Sequence, residues 1–310
     1  MKNLLALILG CSQLSLYAAA LSPFEPLTAW EKKQVRVCWG DQTHQSATVL
    51  VREKHDFLEF SANHKKWIKD IITREFTKEI GLEFIGWENC DSSVESFDVV
   101  MFRTEPPTPD VEGAYSERGG QATIGQRGQQ STSYSATTGL TTVSLTRSNF
   151  PNLNVVVLNT KTQGKAMDSE NYIKMLALHE FGHTAGLRHQ HIRIANVKED
   201  ENCKRVPDLK IHEEPVLSST RFAGPYDHNS IMNYCWINVL TSRTGLNFKA
   251  KNLNHRVKLT DPSLYTVKPV NAKKQEYTIR VGLSTQDREA LKCMYVYDSD
   301  TQKEKCNVPK

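Results

Sequence analysis

The stretch HEFGHTAGLRH, residues 179 to 189, constrains this chain more tightly than any other. On a helix, His179 and His183 are four residues apart and project from one face, near enough to grip one metal ion. Glu180 is turned away by roughly 100°, so it stands beside such an ion, within reach of a water. Gly186 falls where that helix could end, because glycine accepts the left-handed conformation that turns the chain. After the turn, His189 can return to the same ion. Three neutral imidazoles with one open position make a catalytic zinc site rather than a closed structural one. Zinc would lower the pKa of its water to about 7, and Glu180 would take the proton as that water attacks a carbonyl. A helix with solvated histidines would have no reason to keep all five positions at the spacing this geometry requires.

The first twenty residues, MKNLLALILGCSQLSLYAAA, carry a lone lysine, an apolar stretch from Leu4 to Leu16, and small residues at Ala18 and Ala20. That is the form of a secretory signal with an A-x-A cleavage site, so Leu21 would begin the mature chain. A rival reading takes Ile8 to Cys11 as a lipoprotein cleavage site. The expectation is a secreted or periplasmic protein without a transmembrane segment, since no run is long and apolar enough. Beyond the signal, six cysteines remain: Cys38, Cys90, Cys203, Cys235, Cys293 and Cys306. An even count in an exported chain suggests three disulfides, and the preferred pairing joins 38 with 90, 203 with 235 and 293 with 306. No two cysteines stand at C-x-x-C spacing, which argues against a cysteine-bound zinc.

A formal charge of +4 gives no support to nucleic-acid binding. Gln34 to Trp39 alternates as a strand, and apolar residues from Trp67 to Ile80 recur at helical spacing before Gly81. Leu82 to Trp87, Phe97 to Phe102 and Asn154 to Leu158 read as further strands. Gly113 to Ser148, rich in Gly, Gln, Ser and Thr, reads mostly as loop, with part of it either a surface loop or an exposed hairpin. Asp168 or Ser169 can cap the helix that runs into His179. Short strands are expected at Val257 to Leu259 and Tyr277 to Val281. Ser284 to Asp287 has the form of a capping box opening a last helix. The expected class is α+β, a mixed sheet backed by helices, in one domain over residues 21–310.

HEFGHTAGLRH resembles the metzincin metallopeptidases, whose signature is HExxHxxGxxH. The resemblance extends to SIMNY, residues 230 to 234, which is similar to the methionine turn of the astacin and serralysin branches. It implies a zinc metalloendopeptidase with His179, His183 and His189 as ligands and Glu180 as base. Met232 would form an apolar floor under the imidazoles, and Tyr234 would steady the oxyanion. LSTQDREALKCMY resembles the helix that closes these domains. The family fold implies a twisted mixed sheet with two long helices above the cleft (residues 34–186) and an irregular subdomain below (187–300). It also places an edge strand that pairs with substrate where NVVVL lies, making Val155, Val156 and Val157 substrate-binding candidates. Two departures stand out. Astacins have a glutamate directly after the third histidine where this chain has Gln190, and the glycine repeats of serralysins are absent.

Other histidines carry less. His191 could reach a cleft rim and His228 could stand behind the site, while His44, His55, His64, His212 and His255 read as surface residues. The basic excess from Arg243 to Arg280 reads as a solvated face. The expected partner is a protein or peptide substrate met by a monomer. The alternatives are a hydrolase of peptidoglycan peptides and a non-catalytic binding protein on the same fold.

Overall fold

The computed structural model describes residues 21–24, 29–41, 43, 57–91, 96–104, 120–122, 129–135, 140–146, 154–162, 165–166, 170–190, 221–223, 227, 230–233, 264–267, 277–280, 282–297 and 306. In chain order the strands are β1 (Leu21–Phe24), β2 (Gln34–Trp39) and β3 (Phe57–Leu58), followed by helix α1 (Ala62–Ile72). A π-helical turn (Thr73–Thr77) joins α1 to a last helical turn, α2 (Lys78–Ile80). Then come β4 (Glu83–Asn89), β5 (Val99–Thr104), β6 (Gly120–Ala122), the hairpin of β7 (Gln129–Ser135) and β8 (Leu140–Thr146), and β9 (Asn154–Asn159). The short pair β10 (Lys161–Thr162) and β11 (Lys165–Ala166) precedes helix α3 (Glu170–Thr184). Strands β12 (Arg221–Ala223), β13 (Leu264–Val267) and β14 (Tyr277–Arg280) and helix α4 (Thr285–Tyr295) follow among the described residues.

The main sheet runs β4-β2-β5-β9-β6, with β3 also paired to β5. Its inner pairs are parallel and β6 lies antiparallel on β9, so the sheet is mixed and the class is α+β as expected. Parallel strands are buried on both faces, which is why they read as near-continuous apolar runs. Val35, Val37, Val99, Met101, Val156 and Leu158 face a core shared with α1, α3 and α4. The alternating residues Cys38, Val100, Phe102, Val155 and Val157 fill a smaller core on the opposite face with Phe57 and Phe97. The Cys38–Cys90 and Cys293–Cys306 disulfides are present, with Cα separations of 4.9 and 5.7 Å. Cys203 and Cys235 lie outside the described residues.

Helix α1 starts on Ser61, whose hydroxyl accepts from the amide of His64, and the run ends at Gly81 with φ +67°. His64 is a correction to the surface reading. It sits one turn before Ile68 on the inner face and is buried. The π turn brings Glu75 inward, where its carboxylate accepts from the amide of Leu283 (3.0 Å) and the guanidinium of Arg288 (2.6 Å). The start of α4 is thereby tied to α1. Strand β4 bulges at Gly86 and Trp87, both at positive φ, and the Trp87 ring stacks on Phe181 of α3. That conformation is costly for a bulky residue, and here it sets an indole behind the helix of interest.

One open choice is decided and one expectation is corrected. Within the Gly- and Ser-rich stretch, the described residues form a short sheet strand and the hairpin that was one of the two alternatives. And β9 is an interior strand: β5 pairs with one side of it, and β6 with the other at Val156 to Leu158. Val155 and Val157 also point into the far core; β9 is thus paired on both sides from Val156 to Leu158, and its valine side chains are buried. Among the described residues the sheet ends at β6 instead. A strand over 264–267 was not expected, and the strand read at 257–259 lies outside the described residues, as do Asp168 and Ser169.

Candidate metal centre

Helix α3 is buried on nearly all sides, with Ile173, Leu176, Ala177, Leu178 and Phe181 in the main core. Phe181 meets Phe84 edge-on at 4.8 Å, anchoring the turn that carries the polar side chains. The helix ends by closing all four of its last carbonyls, which would otherwise lack partners. The Leu187 amide bonds the Gly182 carbonyl and the Gly186 amide bonds the His183 carbonyl, both at 2.8 Å, with Gly186 at φ +99°. This is a Schellman turn, and it requires the left-handed residue that the sequence supplies as glycine. The next two carbonyls are taken by distant side chains. The Trp30 indole N–H donates to Thr184 (2.8 Å) and the Tyr295 hydroxyl donates to Ala185 (3.0 Å). Burial raises the Tyr295 phenol well above its ordinary pKa, so it keeps the proton it donates. Phe24 of β1 bridges to Leu187, pinning the chain as it leaves the turn.

That turn delivers His189 to the two helix histidines. His189 Nε2 lies 2.8 Å from His183 Nε2 and 3.2 Å from His179 Nε2, and one ligand nitrogen from each of the three falls within 4.8 Å of the others. His179 Nδ1 donates to the Ile231 carbonyl (2.8 Å) and His183 Nδ1 donates to the Leu187 carbonyl (2.9 Å). A carbonyl can only accept, so each of these neutral rings carries its proton on Nδ1 and turns an Nε2 lone pair inward. Lone pairs that converge without an intervening cation repel one another, and a cation removes the conflict. Zinc–nitrogen bonds of about 2.0–2.1 Å in a tetrahedron hold ligand nitrogens about 3.3 Å apart. The observed spacing fits an ion after a small outward adjustment. An all-imidazole set favours zinc and its neighbours over calcium or magnesium.

Met232 is fully buried against α3. A Cβ on Gly182 would come within 2.7 Å of its sulfur, so the glycine lets helix and methionine approach. The turn holding Met232 is stiffened from several directions. The backbone amide of Gln190 donates to the Met232 carbonyl (3.0 Å). Its side-chain oxygen accepts from the amide of Asp227 at 3.5 Å. The Ser230 hydroxyl donates to Asp287 (2.6 Å) and accepts from the Met232 amide (2.9 Å). Asp287 also takes the amide of Ile231 (3.1 Å) and closes the capping box of α4 on Ser284. Ser284 in turn donates to Asp227 at 2.5 Å.

Glu180, next to His179 in sequence, is buried, and desolvation raises its carboxyl to about 8. A cation beside it acts in the opposite direction by favouring the charged form. The structure thus brings His179, His183 and His189 together, with Glu180 buried on the same helix and Met232 packed against Gly182 between them in sequence. Tyr234, His191 and His228 lie outside the described residues, and Val155 to Val157 sit within the sheet. Sequence reasoning missed Trp30, Tyr295, Ser230 and Asp287 as supports of the site. Trp30 left no trace, whereas Ser230 and Tyr295 fall inside the SIMNY and LSTQDREALKCMY motifs and Asp287 is the third helical residue of a capping box.

No protein-family model matches the chain, and no curated protein matches it. Among solved structures, that of myroilysin aligns with a TM-score of 0.41 and 12% identity, covering 89% of this chain and 100% of that chain. A likeness at that level leaves the assignment to the chemistry of the site itself.

Proposed function

We propose that this chain is an exported, zinc-dependent endopeptidase of the metzincin kind, nearest the astacin branch and acting as a monomer. The observation that carries the reading is the convergence of three imidazole Nε2 atoms, two of them fixed by Nδ1–H bonds to carbonyls, with a buried glutamate next in sequence to the first of them. His179, His183 and His189 would hold the zinc. The bound ion supplies Lewis acidity toward a carbonyl and a water. Glu180 accepts the proton released as water adds to the scissile carbonyl and returns it to the departing amine. Tyr234, two positions past Met232, donates to the oxygen on which charge develops. An extended peptide adds to the outer edge of β6, which has a free side among the described residues and lies next to β9. Two disulfides among the described cysteines support a secreted or periplasmic location.

The test compares mature protein from Leu21 with its Glu180→Ala variant on a complex peptide mixture, with and without a chelator, reading new termini by mass spectrometry. Wild type should cut, the chelator should abolish cutting, and the variant should be slower by about 10²- to 10⁴-fold. Cleavage that survives the chelator would rule out metal catalysis. A folded, zinc-loaded wild type that cuts nothing in the mixture but releases peptides from cell-wall sacculi would move the substrate to peptidoglycan. Silence on both would favour the binding-protein reading.

A further inference from the structure

We propose that Asp287 and Ser230 set the strength of the metal site through a one-way chain of hydrogen bonds that ends on His179, a role that rests on the zinc reading above. Each link runs in the same direction. The Ser230 hydroxyl donates to Asp287 Oδ1 at 2.6 Å. The oxygen of that hydroxyl accepts from the amide of Met232 at 2.9 Å. The amide of Met232 and the carbonyl of Ile231 belong to one peptide group, and that carbonyl accepts from His179 Nδ1 at 2.8 Å. The far nitrogen of His179 is the one that faces His189.

A hydroxyl that gives its proton to a carboxylate becomes a better acceptor, and a peptide group that donates strongly at nitrogen accepts more strongly at oxygen. The charge of Asp287 is therefore felt at His179 Nδ1–H, and a ring whose Nδ1 proton is pulled harder is a more basic ligand at Nε2. A carboxylate bonded directly to a metal-binding histidine has this effect at closer range. Here a serine and one peptide group carry it. The geometry of the carboxylate is fixed, because Oδ2 takes the amides of Ile231 (3.1 Å) and Ser284 (3.0 Å) and leaves Oδ1 aimed at Ser230. All the groups in the chain are buried, so water does not dilute the polarisation. Ser230, Asp287 and the Met232 amide are thus positioning groups for His179 rather than structural fillers of the turn. Asp287 and Ser230 act on that one ligand, since His183 takes its acceptor from Leu187 in its own turn.

The experiment measures zinc affinity of the full mature chain, wild type against Ser230→Ala and Asp287→Asn, by competition with a chelating dye. The melting temperature of each metal-free protein identifies the variants that fold. In parallel, nitrogen-15 labelling of histidine follows the His179 Nδ1–H resonance. The expected result is about tenfold or weaker zinc binding in both variants, the outer-shell range, with that resonance moved upfield and the corresponding His183 resonance unmoved. Zinc affinity within twofold of wild type in folded Ser230→Ala overturns the inference, whatever the resonance does. Weaker binding with an unmoved His179 resonance also overturns it, because the loss is then purely structural. If Asp287→Asn does not fold, Ser230→Ala alone decides. A wild type that binds no zinc refutes the metal reading instead, and the two failures stay distinct.

Discussion

His183 finds the acceptor for its Nδ1 proton four residues away, at Leu187, whereas His179 reaches 52 residues along the chain to Ile231. The two ligands sit one helical turn apart, yet their supports come from different levels of the structure. The His183 side is local. Its Schellman turn, its glycine and its carbonyl acceptor all fall between Gly182 and Leu187. The His179 side depends on the turn at Ser230 to Asn233 being held by Asp287, Ser284, Asp227 and Gln190. A site of this kind can be recognised from one short motif because half of it is built within that motif. The other half exists only once α4 has docked.

The most direct way to break this comparison is to disturb the helix that both sides share. Phe181 is fully buried between Phe84 and Trp87. Phe181→Ala should lower stability by about 3–5 kcal/mol in urea unfolding, the range for losing a buried ring. A loss under about 1 kcal/mol would mean that α3 is placed by its ends rather than by its core face, and the division into a local and a remote side would lose its footing.

A smaller effect tests how local the local side is. The Thr184 carbonyl is met by the indole N–H of Trp30, 154 residues away. Trp30→Phe keeps most of the apolar surface and deletes the donor, leaving a buried carbonyl without it. The expected destabilisation is about 1–3 kcal/mol, measured as a shift in the urea midpoint at constant slope. No shift would show that the Schellman bonds alone close the helix, which would make the His183 side more self-contained than the structure implies.

The same division accounts for what the sequence could disclose. The spacing of the histidine motif, the α1 periodicity ending at Gly81 and the capping box at Ser284 are short-range patterns, and each reappears within a residue or two of its expected place. Strand β9 was legible as a strand from NVVVL, but its interior position was not, because its second neighbour, β6, comes from a Gln- and Gly-rich stretch without apolar alternation. His64 read as surface because one polar residue on an apolar stripe does not reveal which face it takes. Trp30, Tyr295 and Glu75 act through hydrogen bonds to partners 100 or more residues away, and such bonds leave no periodicity to find.

The smallest effect gives the sharpest contrast, since it compares two serines with the same local task. Ser61 and Ser284 both cap a helix by accepting from the amide three residues on. Replacing either with alanine should cost about 1 kcal/mol of stability from the cap alone. Ser284 does more, because it donates to Asp227 and its amide helps fix the Asp287 carboxylate that reaches the methionine turn. Ser284→Ala should therefore weaken zinc binding as well as stability, and Ser61→Ala should leave zinc affinity unchanged at a similar or smaller loss of stability. Dye competition and thermal melting on the two variants read both quantities. Equal zinc affinities in the two variants would mean that the turn under His179 holds its shape without the first turn of α4. The remote side of the site would then be as self-supporting as the local one.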